Sequence, residues 1–446
     1  MRTADGCGRI GRLAIVAGGG GSRMAGTAFA GVPKALIPIG GKPVLQHQLE
    51  LAANAGVRDV TIFAGHLADQ IAAFVGDGSR FGLQVRTVVE PAPQGNAGAL
   101  VAALDELPDQ FFVIYGDVMA AVDLARLGGA HLANGADFTT LVHPNDHPHD
   151  SDLLEVDADD RVTAIRPYPH PPGEHFANLV NAALYAVRRD ALRPFAGAAR
   201  LDFTQDILAG LIRNGADVRA FRSSDYVKDM GTPSRLERVE RDWREGRIRT
   251  PGARRPAIFL DRDGTLNVER SFISRPDQLE LLPGAAEALR LLRQAGFLLI
   301  VITNQSVIAR GDATEADIDR VHRKMEWDLG KAGAYVDAIY LCPHHPDAGF
   351  TGERAELKIV CDCRKPAPGM IERACREFAI DAGRSWLIGD HTRDIETARR
   401  AGLRSILVRT GYAGRDGGFD VRADHVADDL LAAARLISEA SGAVPA

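Results

Sequence analysis

The chain has 446 residues, too many for one ordinary core, so two domains, or three, are expected. Its 46% apolar and 25% charged content is that of a soluble globular protein, and apolar runs such as FLLIVI (297–302) fall far short of a bilayer span. The formal net charge of −6 argues against a broad nucleic-acid footprint but leaves room for a local basic site that binds phosphorylated small molecules. The N-terminal stretch lacks the ordered charged, apolar and small-residue regions of a secretory signal, which predicts a cytoplasmic protein. In that compartment the five cysteines, four of them in the second half, read as thiols.

In chain order, RLAIVAG (12–18), VTIFAG (60–65), FFVIYGD (111–117) and DFTTLVHP (137–144) are short β-rich runs separated by helical patterns. One such pattern, 43–56, sets Leu45, Leu49 and Ala52 or Ala53 on one face and stops at Gly56. The Arg-rich 238–256 segment, with Pro251, Gly252 and Pro256, predicts a linker with a solvated face. A second series then begins at AIFLD (257–261) and continues through FLLIVITN, AIYLCP, SWLIGD and SILVRTG. Strand-helix alternation of this kind predicts an α/β fold with two mainly parallel sheets, one at 10–237 and one at 257–440.

In the first half, AGGGGSRM (17–24) directly follows an apolar strand, where glycines let backbone N–H groups approach a polyphosphate. Arg23 and Lys34 then supply two cations. This assembly resembles the sugar-1-phosphate nucleotidyltransferases, with Gly18, Gly19, Gly21, Arg23, Pro33 and Lys34 in register with the family's opening pattern. The resemblance continues through EPAPQGNAGAL (90–100), YGDV (115–118), LVNAALYAV (179–187) and KDMGTP (228–233). It implies a Rossmann-like, GT-A-like domain in which Gln94 and Gly95 contact the base and Asn181 lies near the sugar. Asp117 and Asp229 would hold magnesium while a sugar phosphate attacks the α-phosphorus of a nucleoside triphosphate. The histidine-rich run at 143–152 has irregular spacing and reads as a solvated loop.

In the second half, AIFLDRDGTLN (257–267) ends a strand with Asp261 and Asp263, which as residues i and i+2 point to one side. DxDGT after an apolar strand resembles the haloacid dehalogenase-like phosphatases, again with a Rossmann-like sheet. That family implies Asp261 as nucleophile, Asp263 as acid and base, and Thr303 and Asn304 as phosphate contacts. Lys365 would be the cation for the transferring group and Asp390, with Asp261 and Asp263, the magnesium site. Asp394 reads either as support for that site or as a helix N-terminal acid. Cys342-x-His344 and Cys361-x-Cys363 form a closed tetrahedral zinc set in a loop at 342–363; His345 could replace His344, but the C-x-H spacing favours His344. Cys375 reads as a core thiol, and Cys7 as part of a tail.

This loop, with LDRDGTLN, TNQS and CRKPAPGM, resembles the D,D-heptose 1,7-bisphosphate 7-phosphatases and the related histidinol-phosphate phosphatases. It implies substrate contacts from Glu269, Arg270, Asn304, Gln305, Ser306 and Arg364. Val307, where relatives carry Gly, and His391, where they often carry Lys or Ser, depart from the pattern. A heptose bisphosphate phosphatase releases a heptose 1-phosphate, the kind of molecule the first half would consume. The combination therefore predicts a bifunctional enzyme of nucleotide-heptose synthesis acting on heptose phosphates and a nucleoside triphosphate, GTP being favoured. Two other assignments stay open: another sugar with a histidinol-phosphate-type phosphatase, or a nucleotide-sensing first half.

Overall fold

The computed structural model describes residues 9–19, 29, 31–349 and 351–440. The chain divides into two compact units. The first comprises residues up to Val142, Leu154–Ile165 and Asn181–Gly252; the second comprises His143–Leu153, Arg166–Val180 and the residues from Ala253 onward. Among the described residues, no helix is long and apolar enough to cross a membrane.

The strands of the first half are β1 (Arg12–Ala17), β2 (Asp59–Ala64), β3 (Gln84–Val89), β4 (Gln110–Tyr115), β5 (Val118–Ala121), β6 (Phe138–His143), β7 (Val180–Arg188), β8 (Val218–Arg222) and β9 (Tyr226–Asp229). Seven form one sheet in the order β8-β6-β7-β4-β1-β2-β3. β1 is parallel to β2 and β4, β2 to β3 and β6 to β8, while β7 runs antiparallel to β4. The order advances from β1 through β2 and β3 on one side and jumps to β4 on the other. Open parallel sheets bind ligands beyond the carboxyl ends of the strands at such a reversal, and here β1 runs into Gly18 and β4 into Gly116 and Asp117.

The helix Val44–Asn54 buries Leu45, Leu49 and Ala52 completely, and Gly56 takes a φ of +77° just beyond it, as the 43–56 pattern predicts. The helix Pro233–Arg244 is capped by the Thr232 side chain and buries Leu236 and Val239. It therefore runs into the segment expected to link the domains.

The second unit carries β10 (Ala257–Leu260), β11 (Leu298–Asn304), β12 (Ala338–Cys342), β13 (Trp386–Gly389), β14 (Arg404–Val408) and β15 (His425–Ala427). All neighbours are parallel, in the order β12-β11-β10-β13-β14-β15. Successive side chains of β10 enter opposite cores: Ile258 and Leu260 pack with Leu299 and Val301, and Ala257 and Phe259 with Leu298 and Ile300. Both faces are covered, so β10 reads as an unbroken apolar run. This sheet reverses between β10 and β13, whose chains continue into Asp261 and Asp390.

Candidate active site

At the reversal of the second sheet, Asp261 is fixed by its own backbone N–H, which donates to the Ile388 carbonyl at 3.0 Å. Its carboxylate receives the Arg262 N–H at 2.7 Å and pairs with the Lys365 ammonium at 2.8 Å. The same ammonium pairs with Asp394 at 2.7 Å. Burial, and then the neighbouring Asp394, push the Asp261 carboxyl up to about 6 against the pull of Lys365. Asp394 plays the helix N-terminal part, its Oδ2 accepting the His391 N–H at 3.1 Å at the start of the helix Thr392–Ala401, and in place of supporting Asp390 it holds Lys365.

Asn304 and Lys365 are locked together by two reciprocal bonds, Asn304 Nδ2 to the Lys365 carbonyl at 3.1 Å and Lys365 N–H to Asn304 Oδ1 at 3.0 Å. Gln305 Nε2 donates to Thr303 Oγ1 at 2.7 Å and to Asp263 Oδ2 at 2.9 Å, which ties the end of β11 to the aspartate pair. Asp261, Asp263, Thr303, Asn304, Gln305, Ser306, Arg364 and Lys365 all line one pocket of about 250 Å3, as does Glu269. Arg270 is not part of its lining; it pairs with Glu280. Arg310, Arg393 and Tyr412 also line it, beyond the residues expected there.

Asp261, Asp390, His391 and Asp394 present possible metal-binding atoms within 4.8 Å of one another. Two buried carboxylates, Asp261 and Asp390, suit a hard divalent cation such as magnesium. Asp263 lies outside this group because its carboxylate is taken up by Arg262, Asn267 and Gln305. His391 Nδ1 lies 2.9 Å from Asp390 Oδ1 and its ring packs on Tyr412 at 4.2 Å. Val307 fills a small core with Ile308, Ala313 and Ile318.

Cys342, His344, Cys361 and Cys363 also place their possible ligand atoms within 4.8 Å of one another. The Sγ–Sγ separations are 3.2, 3.3 and 3.6 Å, and His344 Nδ1 lies 3.3 Å from Cys363 Sγ. A disulfide needs about 2.05 Å, whereas tetrahedral zinc with bonds of about 2.3 Å spaces its sulfurs more widely, so the donor set fits zinc. Cys363 is pushed down to about 5, chiefly by its contact with Cys342. His345 is outside this group, and its Nδ1 instead accepts the Asp347 N–H at 3.1 Å. Arg364 donates to the His344 carbonyl at 3.0 Å, so the cluster reaches the pocket through its own backbone. Cys375 packs partly buried against a core.

In the first unit, Lys34 Nζ lies 3.0 Å from Asp117 Oδ2. The antiparallel pair β5 and β9 sets Asp229 opposite Val118, and the Met230 N–H donates to the Asp117 carbonyl at 2.8 Å. A Cβ on Gly231 would lie 3.1 Å from Asp229 Oδ1, 3.7 Å from Lys34 Nζ and 3.8 Å from Asp117 Oδ2, so the three groups converge on one point. Asp229 also pairs with Arg235 at 2.8 Å. Two oxygen donors at one strand end suit magnesium.

Gly18 has no room for a side chain, since a Cβ would lie 2.4 Å from the carboxylate of the buried Glu90, which sequence reasoning passed over. Gly95 has a φ of +83°, and its Cβ would lie 2.1 Å from the Leu201 carbonyl, whose N–H donates to Gln94. The turn at Gln94 and Gly95 is thus backed by Leu201. Gly19 leaves open space, while Gly21 and Arg23 lie outside the described residues. Asn181 is already engaged: it donates to Tyr185 and Thr204 and accepts from Thr140 and the Ala183 N–H.

The nucleotidyl transferase family model matches residues 13–246, over half of the chain, and a HAD-hydrolase-like model matches 362–433. A D-glycero-beta-D-manno-heptose-1,7-bisphosphate 7-phosphatase of Yersinia pestis is 44% identical over 157 residues, covering 35% of this chain and 81% of that protein. This chain belongs to the nucleotidyl transferases and to the heptose-bisphosphate 7-phosphatases. The phosphatase of the same name from Haemophilus ducreyi is 38% identical over 177 residues, 39% of this chain and 94% of its own length. A solved D,D-heptose 1.7-bisphosphate phosphatase from B. bronchiseptica, complexed with magnesium and phosphate, shares 36% identity, with a TM-score of 0.37 over 42% of this chain and 99% of that one. The nucleotidyl transferase and the phosphatase are thus two enzymes in one polypeptide.

Proposed function

We propose that the chain catalyses two consecutive steps of nucleotide-heptose synthesis. The phosphatase half removes the 7-phosphate of D-glycero-D-manno-heptose 1,7-bisphosphate. The transferase half then joins GMP from GTP to the resulting heptose 1-phosphate and releases pyrophosphate. The observation that carries this reading is the presence in one chain of a heptose-bisphosphatase relative and a nucleotidyl transferase, because the first makes a sugar 1-phosphate and the second consumes that class of molecule.

In the phosphatase half, an Asp261 oxygen attacks phosphorus, the bond from phosphorus to the sugar oxygen breaks, and Asp263 gives that oxygen a proton. A water then loses a proton to Asp263 and attacks the aspartyl-phosphate, breaking the bond to Asp261. Lys365, Thr303 and Asn304 hold the transferring oxygens, and Glu269, Gln305, Ser306 and Arg364 shape the space around the sugar. Magnesium on Asp261 and Asp390 would offset repulsion between the phosphoryl group and the carboxylates. Zinc on Cys342, His344, Cys361 and Cys363 would fix the loop that presents Arg364, with no open position for chemistry.

In the transferase half, a heptose phosphate oxygen attacks the α-phosphorus and the bond to pyrophosphate breaks. Lys34 and, by resemblance, Arg23 stabilise the charge, with magnesium on Asp117 and Asp229 supplying a further cation. GTP is favoured because the motif order resembles that of guanylyltransferases acting on α-anomeric heptose phosphates.

Supplying the enzyme with heptose bisphosphate and each nucleoside triphosphate in turn, and weighing the product, tests the reading. GDP-heptose with one phosphate and one pyrophosphate released is the expected result. Turnover of histidinol phosphate in place of heptose bisphosphate would overturn it.

A further inference from the structure

We infer that Arg262 and His322 act together as positioning residues that hold Asp263 in the orientation needed to protonate the departing sugar oxygen. Arg262 is the middle residue of Asp-x-Asp and is fully buried. An arginine is almost never found there unless its charge is paired, and an apolar side chain would be the ordinary occupant. Its guanidinium grips both oxygens of the next residue: Nε lies 3.1 Å and Nη2 2.9 Å from Asp263 Oδ1, and Nη2 lies 2.8 Å from Oδ2. The remaining arm, Nη1, reaches His322 Nε2 at 3.1 Å, on the helix Glu315–Lys331.

That last contact has a defined polarity. A guanidinium can only donate, so His322 must accept at Nε2 and is therefore neutral, with its proton on Nδ1. Burial, and then the charge of Arg262, push His322 down to about 3, which keeps it neutral at any working pH. Asn267 Nδ2 at 2.9 Å and Gln305 Nε2 at 2.9 Å complete the set around the carboxylate, and every member is a donor. Three directed bonds onto Oδ1, two from the arginine and one from Asn267, and two onto Oδ2, from the arginine and Gln305, would be excessive for an ion pair whose only task was stability, since a buried pair seldom gains over an apolar replacement. They do fix the plane of the carboxylate, and proton transfer depends on that plane.

The inference rests on the reading of Asp263 as proton donor, and the leaving group separates the two. Protonation matters for a sugar oxygen and little for 4-nitrophenolate, which leaves unaided. The value of kcat/KM reports the phosphoryl-transfer step alone, so hydrolysis of the aspartyl-phosphate does not obscure the comparison.

In the full-length protein, Asp263→Asn should lower kcat/KM for heptose 1,7-bisphosphate about 10²-fold more than for 4-nitrophenyl phosphate. His322→Leu should show the same preference at about tenfold with KM little changed, and His322→Gln, whose amide oxygen can replace Nε2, should recover to within about twofold. Loss of the preference in Asp263→Asn itself would overturn the acid role and the inference with it. A preference in Asp263→Asn but equal losses on both substrates in His322→Leu would overturn the inference and leave the acid role standing. Should His322→Leu not fold, His322→Asn, too short to reach the guanidinium, is judged by the same two ratios.

Discussion

Both sites lie where the order of a parallel sheet reverses, yet one has its charges sealed into the protein and the other keeps them near the surface. In the phosphatase, Lys365, Asp394 and Asp261 have 1%, 0% and 10% of their side-chain surface exposed, with Asp263, at 22%, the group that faces the pocket; in the transferase, Lys34, Asp117 and Asp229 have 18%, 24% and 43%. Ion pairs out of water are strong and hold their geometry, whereas exposed pairs rearrange at little cost. The contrast follows the substrates: one phosphoryl group fits a prepared cage, but a triphosphate and a sugar phosphate must enter together and need an open cleft. A sealed site should therefore tolerate loss of one group less well than an open one.

The largest effect is expected from Asp261→Asn, which removes the nucleophile: phosphate release should fall more than about 10³-fold while pyrophosphate release stays within about twofold. Equal loss of both would break the picture of two separate sites. Lys34→Ala should lower pyrophosphate release about 10²-fold and spare phosphate release, a smaller loss because water can partly screen the uncovered phosphate charge. A fall as deep as that of Asp261→Asn would mean that the transferase site closes on its substrate and is as sealed as its neighbour.

A third effect should be smaller again. Cys361→Ser, or zinc removal, should lower phosphatase kcat/KM about tenfold, lower the unfolding midpoint of the phosphatase unit and leave transferase activity in place. Metal content measured beside activity decides it. Full activity and unchanged stability in protein verified to be free of zinc would exclude a structural metal.

How far each site could be read in advance follows from the range of the forces that build it. Asp261, Thr303, Lys365 and Asp390 were legible because each ends a strand or opens a turn, where backbone geometry sets where a side chain points. The zinc set was legible because C-x-H and C-x-C bring ligands together locally. The parallel pairing of the second sheet follows from simple alternation of strands and helices, whereas its order does not. Arg262 gave no such signal: its partner His322 lies 60 residues on, and only the packing of a helix against the strand end makes them neighbours. Glu90 is similar, a carboxylate whose burial beside Gly18 depends on how the chain leaving β3 reaches the end of β1 across the intervening β2. Asn181 was readable as polar, but its engagement with Thr204 and Thr140 depends on contacts beyond its own strand.

The smallest expected effect concerns stability in the transferase unit, where one buried histidine serves no reaction. His131 Nδ1 bonds Thr139 at 2.8 Å and Nε2 bonds Gln110 at 2.8 Å. Burial, and then Arg188, push it down to about 4 from an ordinary value near 6.5, with Asp137 opposing. Between those two values the unfolded chain binds a proton that the folded chain refuses, so the stability His131 contributes is complete above pH 6.5 and is lost as the pH falls toward 4. The unfolding midpoint of this unit should drop over that window, and His131→Gln, which keeps a hydrogen-bonding side chain but cannot titrate, should flatten the drop. An unchanged slope in the variant would exclude His131 as the source of the acid sensitivity of this unit.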